Sequence, residues 1–200
     1  TFATQLSIIE SYPEYIFGAS QPQHYQFMKY QYPEIYAKIK EAVKSGNWEV
    51  QGGMWVEADC NLISGESMVR QLLHGKNFFK DEFDIVVDNL WLPDVFGYSA
   101  ALPQILKRAG VNYFLTQKLS WSQFNDFPHQ TFNWRGIDGT EILTHFPPEN
   151  TYNSELDTEF LLPAQKGFKE KDRLNEFISL FGVGDGGGGP KPENIELGRR

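Results

Sequence analysis

Apolar and polar residues along the chain alternate between short runs typical of buried strands and longer stretches with helical spacing. Repeated alternation of this kind predicts a largely parallel α/β arrangement. The predicted helices span residues 33–45, 66–82 and 99–109, and Gly46 is the expected end of the first. The predicted strands span residues 15–18, 48–51, 89–92, 113–116 and 177–181.

The pattern changes between residues 131 and 146, where two β-rich runs flank Asp138-Gly139. An Asp-Gly pair between such runs is typical of an antiparallel hairpin. We interpret this hairpin as an insertion on the sheet, followed by an irregular loop with some helix over residues 150–171.

Composition and charge narrow the possible functions. A net charge of -8 without a basic run argues against nucleic-acid binding. No apolar stretch approaches the roughly 20 residues of a membrane span, and the lone Cys60 excludes a disulfide within the chain. We expect one soluble domain over residues 1–200, from a reducing compartment. Its abrupt ends suggest a piece truncated on both sides.

Candidate chemistry lies just after the predicted strands. In α/β sheets and barrels, the loops at the carboxyl ends of the strands build the ligand site. The side chains there are Trp55, Glu57, Asp59, Asp94, Phe96, Lys118 and Asp185. Aromatic faces suit the apolar faces of sugar rings, and cleavage of a glycosidic bond usually takes two carboxyl groups. The rim therefore suggests glycoside chemistry.

Plainer interpretations of these residues stay open from spacing alone. Asp94 could cap the helix near Ser99, and Glu57 with Asp59 could belong to a solvated loop. Trp55 could be a core residue. Lys118 is either a surface charge or the cation that neutralises a crowded acidic site.

Two other kinds of site find less support. Residues 182–187 match the letters of a dinucleotide-binding loop, but Asp185 would repel a pyrophosphate and the loop comes late in the chain. None of the four histidines has a short metal-ligand spacing. We expect His24 and His74 on the surface, and His145, at a strand end, is the histidine of interest.

Four motifs together resemble glycoside hydrolase family 38, the α-mannosidases, and within it the cytosolic/vacuolar and bacterial branch. They are GGMWVEADCN at residues 52–61, WLPDVFGYS at 91–99, LTQKLSW at 115–121 and FGVGDGGGGP at 181–190. The resemblance extends through essentially all 200 residues. It implies an α/β fold that is part of a seven-stranded (β/α) barrel, with mostly parallel strands and a hairpin insertion. The barrel would be the catalytic domain of a longer chain.

The resemblance also implies a function, which is retaining hydrolysis of terminal α-linked mannose from an α-mannoside or oligomannose glycan. Asp94 matches the family's nucleophile and metal ligand. Phe96 would flank the sugar, Trp55, Glu57 and Asp59 would line the rim, and Lys118 stands where other branches have an arginine. Asp185 is assigned as general acid, although a register shift of one would put Gly186 there.

The family's metal, Zn²⁺ or Co²⁺, takes its other ligands from segments outside this chain, so Asp94 would be the one ligand here and the piece alone is expected to be inactive. We expect a cytoplasmic or vacuolar protein with no nucleic-acid or membrane partner, and a homo-oligomeric parent stays open. A non-catalytic carbohydrate-binding barrel is the alternative function, and a dehydrogenase is a distant third.

Overall fold

The computed structural model describes residues 1–184 and 186–200, whose strands lie in two sheets. The strands are β1 Phe17–Ala19, β2 Trp48–Val50, β3 Asn89–Leu92, β4 Tyr113–Thr116, β5 Thr131–Arg135 and β6 Glu141–His145. The helices are α1 Phe2–Ser11, α2 Pro22–Gln31, α3 Pro33–Ser45, α4 Gly65–Phe83, α5 Leu102–Arg108, α6 Thr158–Gly167 and α7 Pro192–Gly198. Within the described ranges, no helix has the length and apolar character needed to cross a membrane.

Most strand pairs are parallel. β1 pairs with β2 in one sheet, and the other sheet has the order β3-β4-β6-β5. β4 runs parallel to both β3 and β6, whereas β5 is antiparallel to β6. The carboxyl ends of β3, β4 and β6 therefore lie on the same edge of their sheet, which confirms the predicted α/β class.

Local signals fixed several elements. α3 has the predicted bounds because Pro33 occupies its first turn and Gly46 ends it with a left-handed φ of 84°. β3 and β4 also match their predicted ranges. α4 begins after Ser64, whose hydroxyl accepts a hydrogen bond from the backbone N–H of Ser67 at 3.1 Å.

Some predicted boundaries were shifted. The first strand begins two residues later than predicted, at Phe17, and the helix predicted from residue 99 begins at Leu102. Residues 150–171 contain the helix α6 within an otherwise irregular stretch, as expected.

The predicted buried strand over residues 177–181 is wrong. The segment is extended but forms only an isolated bridge between Phe181 and Ser154, and Ile178 is exposed. A hydrophobic run becomes a strand only when a neighbouring backbone pairs with it. Here Phe177 packs on Phe168 and Phe181 packs on Tyr15, so side-chain contacts replace a ladder.

The hairpin was predicted correctly, but its description as an insertion is wrong. Its second strand, β6, is a member of the sheet because it pairs in parallel with β4. The seven-stranded barrel stays a prediction, since the described residues form six strands in two sheets.

The two sheets meet at Gly52, just after β2. Its backbone N–H donates to Oδ1 of Asn89 at 2.8 Å, and its φ of 62° is in the left-handed region. A Cβ at this position would lie 3.1 Å from Cβ of Trp91 and 3.2 Å from its backbone nitrogen. Glycine therefore permits both the turn and the close approach of β3.

Candidate active site

Asp94 lies on the loop that follows β3, and this loop is fastened to the sheet by Tyr98. The Tyr98 hydroxyl lies 3.0 Å from the carbonyl oxygens of both Leu92 and Val95 and contacts Oγ1 of Thr116 on β4. Burial raises the pKa of Tyr98, so the hydroxyl stays neutral and can donate. The loop thus presents Asp94 from a fixed backbone, with its side chain 46% exposed.

Two side chains hold Oδ1 of Asp94. The ammonium of Lys118, from the loop after β4, contacts this oxygen, and the hydroxyl of Tyr152 donates to it at 2.9 Å. Burial lowers the pKa of Lys118, but the hydrogen bond and charge of Asp94 outweigh burial and raise it overall. Lys118 is therefore a cation beside Asp94, and Asp94 does not act as a helix cap.

Three aromatic rings surround the Lys118 ammonium. Its nitrogen lies 3.6 Å from the ring centroid of Trp121, 4.7 Å from that of Phe96 and 5.3 Å from that of Tyr152. Cation–π contacts of this kind partly replace the water that the ammonium loses on burial. The rings restrict Lys118 to the position from which it contacts Asp94.

Glu57 is the second carboxyl group near Asp94. Burial raises its pKa, the hydrogen bond from Ser20 opposes that rise, and the negative charge of Asp94 adds to it. The Ser20 hydroxyl donates to Oε1 of Glu57 at 2.7 Å. The structure therefore brings Glu57 into the electrostatic neighbourhood of Asp94 rather than into a solvated loop.

The loop that carries Glu57 rests on α4. The backbone N–H of Trp55 donates to the Gln71 carbonyl at 2.9 Å, and that of Val56 donates to Oε1 of Gln71 at 3.0 Å. Gly75, one turn further, has room for hydrogen only, because a Cβ there would lie 2.2 Å from the Gly53 carbonyl oxygen. Helix and loop are in backbone contact.

Trp55 and Asp59 make contacts that are largely structural. The indole N–H of Trp55 donates to Oε1 of Gln23 at 3.0 Å, and its ring packs edge-on against Phe78 at 5.7 Å. Oδ1 of Asp59 accepts from the backbone N–H of Asn61 at 2.8 Å and thereby closes a turn. Their roles as substrate groups stay predictions.

Asp185, predicted as the general acid, lies outside the described residues. Gly182, Val183 and Gly184, which precede it, are among the residues that line a cavity of about 860 Å³. Trp91, Leu115, His145 and Tyr152 are among the residues that line the cavity. Asp94, Glu57 and Lys118 are not among its lining residues.

Two of the histidines lie on the surface, and a third lies at a strand end. His24 and His74 are exposed, as predicted. His145 accepts at Nε2 from the backbone N–H of Ile178 at 3.4 Å, and its Nδ1 lies 2.8 Å from Oγ1 of Thr131. Burial lowers the pKa of His145, so the ring is neutral and connects the extended segment to the sheet.

Tyr152 and Ser20 were missed from the sequence. Tyr152 lies in the irregular stretch after β6, and Ser20 follows β1 directly. Both come after the carboxyl ends of strands, so the rule that selected Asp94 would have found them. Neither residue belongs to a recognisable motif or carries a charge, so the sequence contains no other signal for them.

The described residues do not form a complete metal site. Among residues 1–184 and 186–200, no group of three or more His, Cys, Asp or Glu side chains could hold an ion. Asp94 offers one carboxylate, and Lys118 already contacts one of its oxygens. A complete divalent-metal site would need ligands other than these described residues.

Parallel strands that deliver a carboxylate pair and aromatic rings to one rim are typical of enzymes that cleave glycosides. The chain belongs to the glycosyl hydrolases of family 38, since the model of that family's N-terminal domain matches residues 1–200.

Named relatives support this membership. The chain is 50% identical over 196 residues to "Alpha-mannosidase G" of Dictyostelium discoideum, covering 98% of this chain and 18% of that protein. It is 48% identical over 200 residues to human "Alpha-mannosidase 2C1", covering 100% of this chain and 19% of that protein. The chain thus spans about a fifth of the length of these relatives.

A solved structure supports the fold. The α-mannosidase from Enterococcus faecalis V583 superposes with a TM-score of 0.64 at 24% identity, covering 82% of this chain and 19% of that chain. At this level of identity the likeness supports the fold alone.

Proposed function

We propose that the protein is a retaining α-mannosidase, which releases terminal α-linked mannose from an α-mannoside or oligomannose glycan through a covalent mannosyl-enzyme. The observation that carries the proposal is the Asp94 carboxylate, held at Oδ1 by Lys118 and Tyr152 at the end of β3. Membership of family 38 and the names of the relatives support the choice of mannose as the sugar.

Asp94 is the nucleophile in this proposal. Because Oδ1 is occupied, Oδ2 is the oxygen that attacks the anomeric carbon, and among the described residues no hydrogen bond is made to Oδ2. The new bond from Oδ2 to the anomeric carbon forms as the glycosidic bond breaks, and the leaving oxygen takes a proton from the general acid. Water then displaces Asp94, gives its proton to the same group and restores the carboxylate.

Asp185 is the general acid that we propose, from the resemblance of its motif. Lys118 and Tyr152 hold Asp94 in one orientation, so that binding of the sugar does not have to freeze the carboxylate.

Phe96 borders the reacting sugar, and the residues that line the rim around it are Glu57, Asp59, Trp55 and Lys118. Glu57 accepts a hydrogen bond from a sugar hydroxyl, since Ser20 contacts its Oε1 and, within residues 1–184 and 186–200, no hydrogen bond is made to its other oxygen.

We further propose that Asp94 is one ligand of a divalent metal, Zn²⁺ or Co²⁺, whose other ligands lie outside this chain. The described residues do not fit a complete site, so no step of the reaction is derived through the metal. We also propose a cytoplasmic or vacuolar location without a membrane partner. Because its metal site is incomplete, this chain alone is expected to be inactive.

The test is hydrolysis of 4-nitrophenyl α-mannoside by the full-length protein with added Zn²⁺ or Co²⁺, compared with its Asp94→Asn variant. We expect metal-dependent release of 4-nitrophenol that falls on the order of 10³-fold or more in the variant. Covalent labelling of residue 94 in the wild type by a fluorinated mannosyl fluoride would identify Asp94 as the nucleophile. A wild-type protein that binds mannosides without hydrolysing any would instead be a carbohydrate-binding barrel.

A further inference from the structure

Trp121 is a large aromatic side chain that the proposed reaction leaves unused. It ends the 3₁₀ turn Lys118–Trp121 and is 61% exposed. One face of its ring is covered by the Lys118 ammonium, 3.6 Å from the ring centroid. Because most of the ring is nevertheless accessible, the opposite face is open to solvent.

The turn that carries Trp121 is stabilised by hydrogen bonds from a buried side chain. Gln117 is fully buried, and its Nε2 donates to the Ser120 hydroxyl at 2.7 Å and to the Asn150 carbonyl at 2.5 Å. The backbone N–H of Ser120 also donates to the Gln117 carbonyl at 3.0 Å. The open ring is therefore fixed in place before any ligand arrives, which lowers the entropic cost of binding to it.

The location of Trp121 relative to Asp94 follows from their shared neighbour. The Lys118 ammonium contacts both the Asp94 carboxylate and the Trp121 ring, so the two lie within about one sugar ring of each other. Phe96 is on the same loop as Asp94 and borders the sugar bound there. Trp121 comes from the next loop of the sheet and is free to contact a second ring.

We infer that the open face of Trp121 binds the sugar on the leaving-group side of the scissile bond. The apolar C–H face of a pyranose packs flat on an indole, which offers a large rigid surface. This inference rests on the proposed function, because it takes Asp94 as the place of the reacting mannose. Trp121 then favours glycan substrates over mannosides whose leaving group has no ring.

The experiment compares two substrates that differ in that second ring. Full-length wild type, Trp121→Ala, Trp121→Phe and Phe124→Ala are assayed with α-mannosyl fluoride and with the α-linked mannobiose that wild type cleaves fastest. Phe124 is the matched control, since it is an aromatic of the same loop, is 84% exposed and has no contact with Lys118 among the described residues.

For Trp121→Ala we expect kcat/KM on mannobiose to fall about tenfold, chiefly through KM, which corresponds to about 1.4 kcal/mol. The rate on mannosyl fluoride, which reports any disturbance of Lys118, should fall by a clearly smaller factor, and Trp121→Phe should keep most of the mannobiose activity. Phe124→Ala should leave both substrates unaffected.

Equal losses on both substrates would overturn the inference, because Trp121 would then act only by holding Lys118. An unchanged KM for mannobiose, or an equal loss in Phe124→Ala, would overturn it too. Failure of the proposed function looks different, since wild type itself would then hydrolyse neither substrate.

Discussion

The ammonium of Lys118 contacts Oδ1 of Asp94, although the two residues follow different strands, β4 and β3. Only 5% of the Lys118 side chain is exposed, whereas that of Asp94 is 46% exposed. A buried ammonium needs a counter-charge, and Asp94 supplies it from the side open to substrate. Lys118 therefore orients the Asp94 carboxylate while its second oxygen remains accessible.

Replacing Lys118 tests this relationship. In the Lys118→Met variant, Oδ1 of Asp94 loses its cationic partner and keeps the hydrogen bond from Tyr152, so the orientation of the carboxylate should become less fixed. We also expect activity at neutral pH to fall on the order of 100-fold. Lys107→Met, on the exposed face of α5, is the control and should leave activity unchanged. Activity of Lys118→Met close to that of wild type would contradict a charge role for Lys118.

Tyr152→Phe keeps the ring and removes the hydroxyl, and with it the hydrogen bond to Asp94. A hydrogen bond to a charged group contributes roughly 1.5 to 3 kcal/mol, so kcat should fall by about 10- to 100-fold while KM changes little. Steady-state kinetics on 4-nitrophenyl α-mannoside measure both. Tyr113→Phe, at the opposite end of β4, is the matched control. A loss confined to KM would mean that Tyr152 binds substrate instead of positioning Asp94.

Glu57→Gln should stabilise the fold while it lowers activity. Burial raises the pKa of Glu57, and such a carboxyl begins to cost stability as the pH rises through its unfolded pKa and costs most above its folded pKa. At pH 7 the variant should therefore unfold with a higher free energy than wild type, because glutamine avoids the buried charge. At about pH 3.5 the difference should vanish, since the carboxyl is then protonated in both states.

Urea unfolding at the two pH values measures this difference, and Glu41→Gln on the exposed face of α3 is the control. A variant that is less stable than wild type at pH 7 would show that the ionised Glu57 is compensated by its surroundings. Loss of activity alongside gained stability would be typical of a residue retained for substrate binding.

Gly75→Ala tests the contact between α4 and the loop that carries Glu57. Alanine normally stabilises a helix interior by up to about 1 kcal/mol relative to glycine. Here its Cβ would lie 2.2 Å from the Gly53 carbonyl oxygen and 2.6 Å from the Met54 carbonyl carbon, so we expect a loss of roughly 1 to 3 kcal/mol.

Gly65→Ala, in the first turn of the same helix, is the matched control because its Cβ would meet nothing within 4 Å. Thermal unfolding should show a lowered Tm for Gly75→Ala and an unchanged or raised Tm for Gly65→Ala. A stabilised Gly75→Ala variant would mean that the loop shifts at little cost.

Features that depend on a few consecutive residues could be predicted. α3 has its predicted bounds because proline starts it and glycine ends it. β3 and β4 are short apolar runs between clear turn signals, and Asp94 and Lys118 follow them directly. The sequence by itself therefore determined the α/β class and the candidate rim, since caps, turns and hydrophobic period are local properties.

Features that depend on distant partners were decided by the tertiary structure. Residues 177–181 have the composition of a strand but pair only at Phe181, whereas β6 joins the sheet because β4 lies beside it. The choice between a surface and a neutralising role for Lys118 likewise depended on burial among Phe96, Trp121 and Tyr152. Strand pairing, burial and charge pairing all join residues far apart in the chain, so only the folded arrangement could decide them.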